Sequence, residues 1–210
     1  MINLMPFVLG PLENNSFLLV DENSGESMVV DPSFDAEPIL TTIQERRLSV
    51  KAILLTHAHF DHIAGIPYLA AFLPQPLTIG LSSGDAAIYS NSGGAERYGF
   101  HIGELPKITL PLFHKQLLSL GTETIEVREV PGHTPGHVLF YVPSLQSALC
   151  GDLIFYRSVG RTDLPGGDFN TLVHSIRTQV FSLPPETILY PGHGPSTTVA
   201  DEMSQNPFLT

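Results

Sequence analysis

The chain has 210 residues, 42% apolar and 15% charged, which suits a folded domain with its own core and excludes a disordered segment. Its formal charge of −11 argues against the concentrated basic surface that nucleic acid requires, so nucleic acid is not an expected partner. No run approaches the roughly 18 apolar residues of a membrane span, Met1–Pro6 lacks the basic lead-in of a secretory signal, and the lone Cys150 fits a reducing cytoplasm.

In chain order, Phe17–Val20 and Met28–Val30 read as short strands separated by a turn over Glu22–Ser27. Ala36–Arg47 has the spacing of an amphipathic helix and leads into a strand at Ala52–Leu55. Asp61–Phe72 predicts a further helix, stopped by Pro74. Ser82–Lys107 is polar and rich in Gly and Ser, and predicts a short helix with a loop able to overhang a site. Strands return at Thr124–Val130, Val138–Val142 and Ser147–Leu149, followed by a helix over Phe169–Phe181 and a strand at Thr187–Tyr190. No long linker interrupts the chain, so residues 1–210 are expected to form a single domain. Strand runs in both halves, each followed by helix, predict an α/β or α+β fold of two sheets packed face to face with helices outside.

Four segments carry metal-ligand residue types at strand ends. Thr56-His57-Ala58-His59-Phe60-Asp61-His62 directly follows the strand ending at Leu55. His57 and His59 are two apart, so an extended backbone points both imidazoles to one side. Asp61 and His62 fall at the start of the next helix, where the chain turns and can aim them at a second centre. The others are Gly132-His133, Gly151-Asp152 and Gly192-His193, each beyond an apolar run with glycine beside the polar residue. Glycine permits the tight turn and close approach that place a short ligand at a strand tip. A merely histidine-rich surface loop would not be matched at three further strand tips. Imidazole and carboxylate donors with a single cysteine point to zinc first, with iron or manganese as alternatives.

The run His57-x-His59-x-Asp61-His62, followed by Gly132-His133, Gly151-Asp152 and Gly192-His193, resembles the motif set of the metallo-β-lactamase superfamily. The resemblance implies a four-layer αββα sandwich with the site at one edge. It further implies two divalent metal ions, one held by His57, His59 and His133 and the other by Asp61, His62 and His193, with Asp152 bridging. Asp31, closing Val29-Val30-Asp31, matches the family's first motif, whose carboxylate braces the ligand loop. A hydroxide shared by the two metals would attack a carbonyl carbon, with Asp61 orienting the hydroxide and Asp152 keeping the metals paired.

Gly160–Asp168 is similar to the corresponding stretch of glyoxalase II-like proteins, particularly the short bacterial type. That implies a thioesterase acting on a small-molecule thioester such as acylated glutathione. The same stretch also resembles persulfide dioxygenases, which use one iron, and lactonases and β-lactamases are more remote alternatives. Longer glyoxalase II proteins hold glutathione with basic residues of a C-terminal helical domain, whereas Ala200–Thr210 contains no Lys or Arg. Arg157 and Arg161 are the candidates for a substrate carboxylate, against the plainer reading of ion pairs with Asp163 or Asp168. His137, four after His133, is expected to pack or brace rather than ligate. His101, His114 and His174 lack a ligand pattern, and Cys150 reads as a buried small hydrophobe.

Overall fold

The computed structural model describes residues 1–209. Its first sheet holds β1 (Ile2–Leu9), β2 (Asn14–Asp21), β3 (Glu26–Val30), β4 (Ser49–Leu54), β5 (Ile79–Ser82) and β6 (Leu110–Leu112), side by side in that order. The pairings from β1 to β3 are antiparallel and those from β3 to β6 parallel. The parallel strands are joined by helical crossovers: α1 (Glu37–Glu45), then α2 (Phe60–Ile63) and α3 (Ile66–Phe72), then α4 (Ala86–Ser90).

In the second sheet, β7 (Leu117–Leu120), β8 (Glu123–Glu129), β9 (Val138–Val142) and β10 (Ser147–Gly151) form an antiparallel meander. A small hairpin follows, β11 (Ile154–Phe155) with β12 (Ser158–Val159), and then α5 (Phe169–Ser175). β13 (Ile188–Pro191) returns parallel to β10, and β14 (Thr197–Thr198) pairs with it before α6 (Val199–Gln205).

Period-two alternation explains the layers. Phe17 and Leu19 of β2 face the second sheet, whereas Leu18 and Val20 face the helices. β4 repeats this, with Ala52 and Leu54 inward and Ile53 and Leu55 under α1 and α3. Across the sandwich Val138, Phe140 and Val142 of β9 point at the first sheet, and Leu139 and Tyr141 point at α5. Strands buried on both faces read as continuous apolar runs, which is why these were legible. Phe140 is fully buried between the sheets, a burial worth roughly 1.5–3 kcal/mol. The expected αββα sandwich is therefore the observed one. No described helix is long and apolar enough to cross a membrane.

Some elements differ from expectation. The single helix expected over Asp61–Phe72 is two, α2 and α3. Pro67 lacks the amide hydrogen that would continue the ladder and opens the first turn of α3 instead. At the break, a Cβ on Gly65 would overlap the Ser33 carbonyl, so the chain bends where it presses on the loop after β3. The helix expected over Phe169–Phe181 is α-helical only to Ser175 and widens into π turns over Ile176–Val180. The sequence carried no expectation for β1, β5, β6, β7, β11, β12, β14 or α6; β1 carries Pro6, which an edge strand tolerates.

α6 is fastened from inside. Glu202 is fully buried, accepting from Thr197 Oγ1 at 2.6 Å, Asn206 Nδ2 at 2.7 Å and the Arg157 amide at 3.1 Å. Replacing Glu202 by Ala strands those donors, and the expected loss is roughly 3 kcal/mol in urea unfolding of the metal-free protein. A midpoint unchanged from the parent would contradict the fastening.

Candidate metal centre

The seven residues picked out as ligands converge at one edge of the sandwich, where loops from both sheets meet. β4 ends at Leu54 and delivers His57 and His59; α2 carries Asp61 and His62. His133 lies in the loop between β8 and β9, Asp152 follows β10 and His193 follows β13. Each of two sets has ligand atoms within 4.8 Å of one another: His57, His59 and His133 in one, Asp61, His62 and His193 in the other. Asp152 lies between them. Its Oδ1 is 3.3 Å from His62 Nε2 and 3.7 Å from His193 Nε2, while Oδ2 is 3.7 Å from His133 Nε2.

A third grouping, Asp31 with His57 and His62, meets the same distance limit. The Asp31 oxygens are already engaged by the Thr56 amide at 2.7 Å, Thr56 Oγ1 at 2.6 Å and His62 Nδ1 at 3.1 Å. Asp31 therefore braces the loop, as the resemblance implied. His133 Nδ1 donates to the Arg161 carbonyl at 2.7 Å and His193 Nδ1 to the Leu12 carbonyl at 2.9 Å. These outer bonds fix each ring and turn its other nitrogen inward.

Among the described residues, buried atoms that find no hydrogen-bond partner include His57 Nε2, His62 Nε2 and Asp152 Oδ1, all inside this cluster. Buried polar atoms are normally satisfied, so orphaned imidazole and carboxylate donors converging on one point fit divalent metal ions. The glycines at the strand tips have a steric reason. Gly151 has φ +52°, and a Cβ there would overlap Thr56 Oγ1; a Cβ on Gly192 would overlap Asp152 Oδ1.

The electrostatics prepare donors. Burial and the neighbouring His62 push His57 well below the ordinary imidazole range, and burial with His133 lowers His59 to about 4. Both stay neutral, as ligation requires. Burial works to raise Asp61, but the charge of His62 and the hydrogen bond from His193 overcome it and bring the carboxyl to about 2. Burial also opposes ionisation of Asp152, yet His62 and His133 hold it well below the carboxylate range. His62 moves oppositely: burial depresses it, but Asp61 and Asp152 raise it overall.

Several residues had no sequence signal. Asn14, at the start of β2, donates from Nδ2 to Asp61 Oδ2 at 2.9 Å and is fully buried. Asp85 accepts from the Ala58 amide, Thr134 Oγ1 and the Gly136 amide. The cluster opens into a cavity of about 650 Å³ whose walls include Leu12, Phe60, Ile88, Arg97, Tyr98, Phe100 and Arg161. Phe60 stacks on Tyr98 and Phe100 at centroid distances of 5.3 and 5.2 Å. The polar segment Ser82–Lys107 thus supplies a cavity wall, as its composition suggested.

The two arginine candidates separate. Arg161 lines the cavity and is paired through two bonds with Asp163, at 2.8 and 2.7 Å. Arg157 does not line it; it bonds the Asp201 carbonyl at 2.7 Å and Gln205 at 2.8 Å on α6. His137 is buried, its Nε2 donating to the Cys150 carbonyl at 3.0 Å, which fits the bracing reading. Burial pushes the Cys150 thiol up to about 12, so it behaves as an inert hydrophobe. His101 and His174 are exposed and outside the cavity, and His114 accepts from the Glu129 amide at 3.2 Å.

A family model described as the Metallo-beta-lactamase superfamily matches residues 9–193. The hydroxyacylglutathione hydrolase GloC of Haemophilus influenzae is 34% identical over 94% of this chain and 92% of its own length. Mitochondrial persulfide dioxygenase ETHE1 of Mus musculus is also 34% identical, over 93% of this chain and 71% of its own. Among solved structures, TTHA1623 in a di-iron-bound form has a TM-score of 0.87 at 39% identity, covering 98% of this chain and 100% of its own. BLEG-1 B3 metallo-beta-lactamase has a TM-score of 0.87 at 36% identity, covering 99% and 100%.

Because His62 is raised above its ordinary range, it carries a proton at neutral pH that a metal must displace. The sign follows: affinity for zinc rises with pH. Calorimetric zinc titration at pH 7 in two buffers of different ionisation enthalpy should give different apparent enthalpies; identical enthalpies would exclude proton release.

Proposed function

The chain belongs to the metallo-β-lactamase superfamily, and we propose that within it the protein is a two-metal thioesterase of the glyoxalase II type, acting on acylated glutathione. The observation that carries the two-metal part of this reading is the position of Asp152, one oxygen toward His133 and the other toward His62 and His193. A centre for one ion would have no use for Asp61, His62 and His193 as a second converging set. The similarity to a hydroxyacylglutathione hydrolase and to a protein solved with two irons supports the same reading.

His57, His59 and His133 would hold one divalent ion, Asp61, His62 and His193 the other, and Asp152 would touch both. Zinc is the first expectation for this donor set, with iron or manganese as alternatives. Bound there, the metals supply Lewis acidity and lower the pKa of a water from 15.7 to about 7.

The chain's own groups supply the rest. Asp61, held low at about 2, stays ionised and can accept a hydrogen bond from the attacking water. Asn14 fixes that carboxylate by donating to Oδ2, so its orientation does not depend on substrate. Asp152 stays ionised throughout and neutralises positive charge between the two sets. Phe60, Tyr98, Phe100 and Ile88 give the cavity an apolar wall against which an acyl group excludes water. Arg97 lines the same cavity and has no ion-pair partner among the described residues, leaving it free to meet a carboxylate of the thiol carrier.

The reading is tested by metal content together with hydrolysis of S-lactoylglutathione. Two divalent ions per chain are expected, with turnover abolished by chelator and restored by zinc or manganese. One iron per chain, no hydrolysis and oxygen uptake with a persulfide would assign the dioxygenase chemistry named for the mouse relative. Hydrolysis of a β-lactam in preference to thioesters would instead align it with the B3 enzyme. Asp152→Ala is expected to lose metal and at least about 100-fold in kcat/KM; retention of two ions would exclude the bridging role.

A further inference from the structure

Asp85 closes the short turn Ser83–Asp85 between β5 and α4 and is fully buried. Its hydrogen-bond partners are all neutral: Ala58 N at 3.0 Å and Thr134 Oγ1 at 2.7 Å on Oδ2, and Gly136 N at 2.7 Å on Oδ1. Burial raises its carboxyl above the ordinary value, against the pull of those donors. A buried carboxylate without a cation is costly and needs a compensating role.

Its partners indicate that role. Ala58 stands between His57 and His59 in the loop leaving the first sheet. Thr134 follows His133, and Gly136 lies two further on, in the loop leaving the second sheet. A single carboxylate therefore joins the two arms that present His57, His59 and His133, and one oxygen, Oδ2, accepts from both arms. The turn is seated on the second arm by two facing glycines. A Cβ on Gly84 would lie 2.7 Å from Gly136 Cα, and one on Gly136 would overlap the Asp85 backbone.

We infer that Asp85 is a positioning residue that sets the spacing of the His57–His59 arm against the His133 arm, and so the metal affinity of the three-histidine set alone. The second set depends on different braces, Asp31 on His62 and Asn14 on Asp61. An amide cannot substitute for Asp85. Asn has one acceptor oxygen, and its amide would turn a donor toward Gly136 N or toward Ala58 N and Thr134 Oγ1. Bracing bonds of this kind typically govern 10–100-fold in metal affinity. The inference rests on the two-metal reading, and its test needs no substrate.

The experiment titrates zinc into metal-free wild-type, Asp85→Asn, Thr134→Val and Thr134→Ser proteins against a chromophoric chelator. Circular dichroism melts of the metal-free proteins check folding. In Asp85→Asn, one zinc should weaken by about 10–100-fold with the other unchanged. Thr134→Val, which removes one of the three donors, should weaken the same zinc to a lesser degree, and Thr134→Ser should bind as wild type. Combined with His59→Ala, Asp85→Asn should weaken the remaining zinc no further, because both changes act on one set.

Wild-type binding of both zincs by a folded Asp85→Asn protein would overturn the role, as would equal weakening of both. Should Asp85→Asn not fold, the valine and serine variants decide, and identical affinities for that pair would overturn it. A wild-type protein that takes up a single zinc contradicts the two-metal reading. Two zincs in the wild type with no selective loss in the variants contradicts Asp85 alone.

Discussion

The constraint on which the rest of this molecule depends is electrostatic. The five imidazoles and two carboxylates of the ligand set crowd one mostly buried edge, and each costs free energy to remove from water. The groups offset one another through geometry. Asp61 and Asp152 remain ionised because His62, His133 and His193 lie against them. His57 and His59 remain neutral because burial and neighbouring imidazoles disfavour their charge. The orphaned inward atoms, His57 Nε2 and His62 Nε2 among them, mark where that mutual compensation is incomplete without a cation.

Holding these groups in place is the task of a shell of braces drawn from both sheets. Asp31 anchors Thr56, the residue before His57, and the ring of His62. Asn14 anchors Asp61, and carbonyls at Arg161 and Leu12 orient His133 and His193. Backbone geometry completes the cup: glycines at positions 151 and 192 admit neighbours that a Cβ would displace. The sandwich contributes rigidity, since every arm leaves a strand with residues in a core layer, Ile53 and Leu54 on β4, Val127 on β8, Leu149 on β10 and Leu189 on β13, and a displaced arm would disturb that layer.

How much was legible follows from the range of each signal. Phe17–Val20 and Val138–Val142 are unbroken apolar runs within a few residues, which marks strands buried on both faces, and the layers followed from strand runs in each half succeeded by helix. Pairing His57 with His59 needed only the geometry of an extended segment, and their ring centroids do lie 4.9 Å apart. The break between α2 and α3 has a local part, Pro67, but the contact that bends the chain there, Gly65 against the Ser33 carbonyl, comes from a loop distant in sequence. Arg157 looked available for substrate because Glu202, which is 45 residues away and accepts from its amide, carries no local mark of burial.

By itself, then, the sequence determined the donor chemistry, the order of the ligand segments and the succession of strand and helix runs, all set by neighbours along the chain. Only the tertiary structure decided which polar residues serve the site from a distance. Asn14 meets Asp61 across 47 residues, and Asp85 meets Gly136 across 51. The physical reason is that a brace needs only a hydrogen-bonding side chain at the right point in space. Neither residue type nor spacing encodes that point until the two sheets have closed on one another.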